Sequence, residues 1–558
     1  MSTEAPKLSP VEGHKSESHL LRGTIALEMA QGHDHFGDAD KSLIKFHGFY
    51  QQDDRDARKT RQKDGPAKLY IFMVRCKIPG GKVTAEQYLA LDKLCEQYAN
   101  DTLRITSRQG FQFHGVRMPG LKAIIADINK TLLTTLGACG DVNRNVMAPP
   151  APIASPLYDT LQADADKLAA HFAPRSGAYH EIWLDGEKVS GGEETEPIYG
   201  KVYLPRKFKI GFALPEDNSV DVFAQDLGLI ALAEGEKIVG YNMLVGGGMG
   251  MTHGNANTFP HIGQPMCFIN PDQLQTAAEA VVELFRDHGN RADRKRARIK
   301  YLVHDWGVAK FREVLATYLP FPLVLPKPVE VTGFPLHLGW NPQGDGKFYY
   351  GLSIENGRIK DEGDFRLKTA VRLIVEKFRP RLRLTPMQDI LFCDLPAKAL
   401  AGIEEILAAH NVPTHRSLVR QHSMACPAIP TCGLAIAEAE RVMPALIDQL
   451  EETLTTLKLD EEKISIRMTG CPNGCVRTYQ SDIGVVGRSG DKYTIFVGGN
   501  LVGSRLAYVL KDLVPLHDIV PTLHPLLARF QSERSATEGF GDYCQRLGED
   551  AARAVVQN

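Results

Sequence analysis

The chain has 558 residues, 43% of them hydrophobic and 24% charged, with a formal net charge of -2 at pH 7. That length exceeds one ordinary core and suits about three domains, the composition is globular, and the small charge excludes a global field drawing the chain to nucleic acid or anionic membranes. No apolar run reaches membrane-spanning length, and MSTEAPKLSPVEGHKSE lacks both a secretory apolar segment and the acid-poor character of a transit peptide, so the cytoplasm is expected.

Residues 1–70 are polar and irregular, and QQDDRDARKTRQKDG predicts an extended, solvated arm. From Lys68 the pattern changes. LYIFMVRCKI predicts a strand, AEQYLALDKLCEQYA a helix, LRITSRQGFQFHGV a second strand region and LKAIIADINKTLLTTL a second helix. YLPRKFKIGFALP and DLGLIALAEGEKIVGYNMLVGGGMG follow, with the basic NRADRKRARIK beyond them. The β-α-β-α order then returns as FYYGLSIENGRI, LKTAVRLIVEKF, RLRLTPMQDILFCDL and AKALAGIEEILAAH.

The return extends to single residues: Leu103-Arg104-Ile105-Thr106 is echoed by Leu382-Arg383-Leu384-Thr385, and Gln109 finds Gln388 at the same offset. A second echo links the PRKFKIGFALP and DLGLIAL segments to CPNGC and DIGVVGRSGDKYTIFVGGN. Two motifs repeated in one order predict a duplicated, pseudo-two-fold α/β protein of mixed sheets with its site between the halves. The expected division is an arm over 1–70, a composite domain from 71–136 and 335–412, a first half-domain over 137–334 and a second over 413–558.

Ten cysteines are too few for a disulfide scaffold. Four of them cluster as Cys426-x5-Cys432 and Cys471-x3-Cys475, separated by the helical ERVMPALIDQLEETLTTL. Four soft ligands can hold a [4Fe–4S] cluster or a zinc ion. Zinc more often takes C-x2-C pairs, whereas Pro427, Pro430, Gly470, Pro472 and Gly474 favour irregular backbone around a bulkier group. GGGMGMTHGN follows a strand but lacks the dinucleotide spacing, so any electrons must come from outside the chain.

The run TGCPNGC resembles closely the signature of the siroheme sulfite and nitrite reductases. The resemblance continues through LIKFHGFYQQDDRD, VRCKIPGG, LRITSRQGFQFHG, GDVNRNV, YLPRKFK and NRADRKRARIKY, and is strongest to the haemoprotein subunits of assimilatory sulfite reductases. It implies a three-domain fold with siroheme at the domain junction, a [4Fe–4S] cluster on Cys426, Cys432, Cys471 and Cys475, and Cys475 shared between cluster and siroheme iron. It also implies that Arg75, Arg144, Lys207 and Lys209 face sulfite over the open side of the haem. The siroheme carboxylates would be met by Arg104, Thr106, Arg108, Gln112, His114, Arg206, Arg298, Asn473 and Arg477.

Strand parity agrees with part of this, since Lys207 and Lys209 share one face and Arg104, Thr106 and Arg108 share another, continued by Gln112 and His114. Crowded cations are expected to lower the lysine pKa values and make them proton donors. Val476 and TYQSDIG depart from the family's usual small residue and apolar segment. Two other readings stand beside this one: a siroheme nitrite reductase forming ammonia, against which Lys209 speaks because plant-type nitrite reductases usually carry asparagine there, and a non-catalytic iron–sulfur or zinc protein. The resemblance offers two electron donors, an NADPH-dependent flavoprotein subunit or ferredoxin.

Overall fold

The computed structural model describes residues 7–58, 68–175, 182–184, 187–190 and 196–557. Its centre is a pair of five-stranded sheets built by two copies of one pattern. In the first copy, β1 (Phe49–Asp53), β2 (Tyr70–Arg75), β4 (Leu103–Ile105) and β5 (Phe111–Val116) lie in the order β1-β2-β5-β4. In the second, β12 (Gly339–Pro342), β13 (Phe348–Leu352), β17 (Arg381–Leu384) and β18 (Ile390–Leu395) take the order β12-β13-β18-β17. Each sheet is completed by a two-residue strand from the other copy. β3 (Lys82–Val83) pairs with β17, and β14 (Arg358–Ile359) pairs with β4.

The exchange turns on two tight corners. Gly80 (φ 59°) and Asn356 (φ 53°) occupy the left-handed region just before these short strands. A Cβ on Gly81 would stand 2.4 Å from the Leu384 carbonyl oxygen, and one on Gly357 would stand 2.3 Å from that of Ile105. Ile105 and Leu384 are echoed positions, so the contact is made twice with the roles reversed. Gln109 Nε2 donates to Leu384 O at 3.1 Å. Gln388 Nε2 reaches Ile105 O at 3.3 Å in one amide orientation; the other gives it Arg104 Nη2 at 2.8 Å and Ala425 O at 3.2 Å. The paired glutamines seen in sequence therefore sit at the crossing of the two copies.

One core serves both copies. Val74, Leu103, Phe113 and Ile359 from the first sheet and Leu382, Leu384 and Phe392 from the second join Tyr88 and Leu91 of the helix Ala85–Tyr98 and Val371 and Ile374 of the helix Leu367–Phe378. The first helix starts with a reciprocal capping box between Thr84 and Gln87. Arg372 and Lys368 cross from the second helix to Asp92 and Glu96 of the first.

The other two sheets are also copies. β8 (Ile210–Ala213), β9 (Leu227–Glu234), β10 (Lys237–Val245) and β11 (Gln264–Ile269) run β11-β10-β9-β8. β19 (Ser423–Ala425), β20 (Ile466–Thr469), β21 (Ile483–Ser489), β22 (Lys492–Val497) and β23 (Tyr508–Pro515) run in numerical order. β8 pairs parallel with β9 through Ile210 and Leu227, and β20 pairs parallel with β21 through Ile466 and Ile483. The same sequence spacing separates both pairs. Two short ribbons, β6 (Ile182–Leu184) with β7 (Glu187–Ser190) and β15 (Asp361–Glu362) with β16 (Phe365–Arg366), complete the described strands.

The solvated arm expected over 1–70 is a correction. Across its described residues it folds into short helices and β1, burying Leu43, Ile44, Phe46 and Phe49. It also buries Glu12 and Lys15, which can lie inside because partners far along the chain neutralise them: Lys15 meets Glu12 and Asp141, and Glu12 meets Arg291 at 2.6 Å. Residues 59–67, the basic part of the predicted arm, lie outside the described residues. Among the described residues no helix is long and apolar enough to cross a membrane.

Candidate active site at the junction of the repeats

The first sheet explains how several predicted residues reach one place. Its pairing aligns Arg75 with Gln112, Gln112 with Arg104, and Arg104 with Arg358. The adjacent register row, Val74, Phe113, Leu103 and Ile359, is core. Alternation thus gives one sheet an apolar face and a cationic face. His114 continues the polar face of β5, is buried, and has both ring nitrogens without a hydrogen-bond partner. Burial first, then Arg358, Arg104 and Arg75, hold its pKa well below the usual histidine range, so it is a neutral donor and acceptor.

A second cationic line comes from the first half-domain. Asn143 bridges in parallel to Phe208, with Arg144 N donating to Phe208 O at 2.9 Å, so the NRN segment runs beside PRKFK. Phe208 enters the core, which leaves Lys207 and Lys209 on the opposite side of the chain. Lys207 is pushed down to about 7 by burial and then by Arg298 and Arg206; Lys209 is lowered further by burial and then by Lys207 and Arg108. The expected lowering is therefore present, with burial a larger cause than cation crowding. Cys475 is among the groups whose charge acts on Lys207, so the thiol and the lysine lie within electrostatic reach of each other.

The arginines divide into two sets. Arg144 is oriented by backbone, its Nε to Gly140 O at 3.0 Å and Nη1 to Ala138 O at 2.8 Å, with Tyr50 Oη 3.5 Å from Nη2. Arg75 Nη1 lies 3.1 Å from Cys139 Sγ, and its other nitrogens meet Gln112 when that amide is turned. Arg108 donates to Gln225 and the carbonyls of Asn145 and Ile210 while its Nε stays unpartnered. Arg206 stands 3.7 Å from Asp141.

Arg104, Arg298 and Arg477 differ in that each pairs with a carboxylate of the protein at close range. Arg104 meets Glu440 at 2.9 Å and Ala425 O at 2.8 Å. Arg298 chelates Asp226 Oδ1 with two nitrogens at 3.0 and 2.7 Å. Arg477 pairs with Asp221 and donates to Ser107 O at 3.0 Å and Pro386 O at 3.1 Å. A buried guanidinium requires such compensation. Thr106 is likewise engaged, its hydroxyl accepting from the backbone of Arg108 and Gly110 at 3.2 Å each.

The four cysteines approach from loops around β19 and β20. Cys426 follows β19, and Cys471 and Cys475 follow β20, its parallel neighbour. Gly470 N lies 3.4 Å from Cys426 Sγ, and Asn473 Nδ2 lies 3.4 Å from Cys471 Sγ. Ser107 Oγ donates to Cys475 O at 3.1 Å, tying this loop to the first sheet. Burial and then the Cys475 charge raise Cys426 and Cys432, and the same causes push Cys471 up to about 12. Four thiolates here therefore need positive metal charge to coexist. Among the described residues no group of three or more His, Cys, Asp or Glu side chains is gathered as for a single metal ion.

These observations test the implied cofactors and they fit. Cys475 is exposed while Cys426 and Cys471 are buried, so one thiol of the set is accessible from outside the protein. His114, Asn143 and Arg108 Nε supply buried polar atoms lacking partners, as a polycarboxylate macrocycle would use. Glu440 and Arg358 were not legible as site residues. Glu440 accepts from Arg358 Nε at 2.6 Å as well as from Arg104, and its N–H donates to Cys426 O at 3.1 Å. The echo in FYYGLSIENGRI was the available signal for Arg358.

Residues 163–323 and 419–558 match the nitrite and sulphite reductase 4Fe-4S domain, and residues 63–131 and 341–410 match the nitrite/sulfite reductase ferredoxin-like half domain. A sulfite reductase (NADPH) haemoprotein beta-component from Staphylococcus saprophyticus is 44% identical over 97% of this chain and 96% of its own length. A sulfite reductase (ferredoxin) from Synechococcus elongatus is 41% identical, covering 100% of this chain and 92% of its own length. The solved structure of the Mycobacterium tuberculosis NirA protein superposes with a TM-score of 0.80 at 26% identity, covering 98% of each chain.

Proposed function

This chain belongs to the nitrite and sulphite reductase family, and from that premise we propose that it is the haemoprotein of an assimilatory sulfite reductase. It reduces sulfite to sulfide with siroheme and a [4Fe–4S] cluster. The observation that carries the reading is the pair Lys207 and Lys209 beside Arg144, with Cys475 within electrostatic reach of Lys207. A six-electron reduction of a small dianion needs cations to bind it and protons to release three oxygens as water. Both are supplied by these side chains.

Cys426, Cys432, Cys471 and Cys475 would hold the cluster, with Cys475 also the ligand to siroheme. When bound, the two groups supply an open iron position and stored electrons beside it. Arg144, fixed by Ala138 and Gly140, clamps a sulfite oxygen through charge-assisted hydrogen bonds, and Arg75 does the same from the sheet. Lys207, lowered to about 7, delivers protons near neutral pH, and Lys209 does so beside it. Arg108, Gln112, His114, Arg206 and Asn473 are assigned to the siroheme carboxylates. Arg104, Arg298 and Arg477 contribute there through the donors their protein partners leave free. The remaining division is a composite domain from 71–136 and 335–412 with half-domains over 137–334 and 413–558, and β1 joins the composite domain's first sheet.

Electrons come from a separate donor, either an NADPH-dependent flavoprotein subunit or ferredoxin. Saturable reduction by one and not the other decides between them. For the reaction itself, the holoprotein with a reduced viologen should release sulfide from sulfite. Ammonia from nitrite with no sulfide from sulfite overturns the assignment.

A further inference from the structure

The arm expected to be solvated closes one side of a small cavity beside the cationic cleft. Lys45 and Tyr50 face Arg144, Arg206 and Arg294 across it, and Asp141 is the one acidic residue in its wall. The cavity is about 20 Å³, room for a water or a small anion and no more.

Charge in this wall is unbalanced. Asp141 is taken by Arg294, with nitrogen–oxygen distances of 2.7 and 2.9 Å, and stands 3.7 Å from both Lys15 and Arg206. One carboxylate thus serves three cations before Lys45 is counted. Lys45 makes no hydrogen bond or ion pair of contact distance among the described residues. Burial, then Arg294, push its pKa down to about 8, with Arg206 and Lys41 acting in the same sense and Asp141 opposing. An ammonium held against like charges is stabilised when an anion arrives.

Two residues of the cavity wall also neighbour the cationic residues described above. Arg144 lines it and also neighbours Lys207 and Lys209. Tyr50 lines it, approaches Arg144 Nη2, and carries Arg75 over its ring at 6.0 Å. Arg206, on the wall, immediately precedes Lys207 in sequence.

We propose that this cavity is a second oxyanion subsite, where Lys45 and Arg144 hold incoming sulfite before it moves on to Lys207 and Lys209. The subsite rests on the reading of the chain as a sulfite reductase. Its role is capture, so it acts on KM.

The test compares holoprotein of the parent, Lys45→Met and Lys45→Arg for sulfite KM, kcat and siroheme absorbance per chain. Lys45→Met should raise KM about fivefold with kcat within about twofold and full siroheme content, while Lys45→Arg keeps the parent KM. If Lys45→Met does not accumulate, Ser42→Asp, which puts a negative charge in the same cavity, should raise KM likewise. An unchanged KM at full siroheme content overturns the proposal. So does a loss of siroheme with unchanged KM in the loaded fraction, because the cavity then serves a cofactor carboxylate. A parent that makes no sulfide refutes the functional reading itself, before any variant is compared.

Discussion

The loop after β8 and the loop after β20 leave equivalent parallel strands, yet one closes on itself and the other stays open. In the first half, Asp217 is buried and satisfied by His337 Nε2 at 2.8 Å, Tyr158 Oη at 3.0 Å and Ser219 N at 3.2 Å. By the sequence echo, Pro215, Asp217 and Ser219 correspond to Cys471, Asn473 and Cys475. There Asn473 and Cys475 are exposed and Cys471 is buried. The same backbone scaffold thus supports a finished hydrogen-bond network in one copy and an unfinished, metal-ready loop in the other. The two copies then lock together: Asp221 and Arg477 hold echoed left-handed positions (φ 52° and 60°) and pair with each other, while Arg467 joins Asp221 at 3.0 Å.

The largest effect should come from exchanging the character of the two loops. Cys475→Ser should abolish sulfite reduction and disturb both metal chromophores in the visible spectrum, whereas Ser219→Cys should leave spectrum and metal content unchanged. An intact cluster and normally ligated haem in Cys475→Ser would remove the distinction between the copies.

The lock is tested next. Asp221→Ala leaves Arg467 and Arg477 buried without their carboxylate, and should cost about 3–5 kcal/mol by thermal or denaturant unfolding. A cost under about 1 kcal/mol would mean that the halves do not depend on this pair.

Within the cleft, Lys209→Asn should lower kcat/KM for sulfite by about tenfold, close to 1.4 kcal/mol, and lower that for nitrite less. Equal losses would make Lys209 a general anion contact with no preference for sulfite.

The smallest effect is on pH dependence. Lys207 has a folded pKa near 7, below its ordinary value of 10.5, so its charged donor form declines as pH rises through 7. The ratio of parent to Lys207→Arg kcat/KM, in which sulfite's own titration cancels, should fall from pH 6 to 9. A flat ratio would show that Lys207 keeps its proton across that range. For the protein without cofactors the sign on stability is opposite: the unfolded chain binds more protons at this lysine between about pH 7 and 10.5, so stability gains from raising pH.

Much of this was legible in the chain. Cys426, Cys432, Cys471 and Cys475 announced a metal loop by spacing, and Leu103–Thr106 against Leu382–Thr385 announced the duplication. The strand exchange was not legible, because β3 and β14 are two residues each and carry no periodicity. Nor was the packing of the arm, whose buried Glu12 and Lys15 look solvated until Asp141 and Arg291 are brought beside them. Arg104, Arg298 and Arg477 were found as basic residues near the site, but their carboxylate partners Glu440, Asp226 and Asp221 lie 72 to 336 residues away, as 336, 72 and 256 respectively. Only folding names such partners.

Metal analysis tests most directly whether the protein holds a [4Fe–4S] cluster and a haem together. Purified holoprotein should contain about five irons and about four acid-labile sulfides per chain, the sum of one cubane cluster and one haem iron. Zinc at one per chain with no labile sulfide would contradict it.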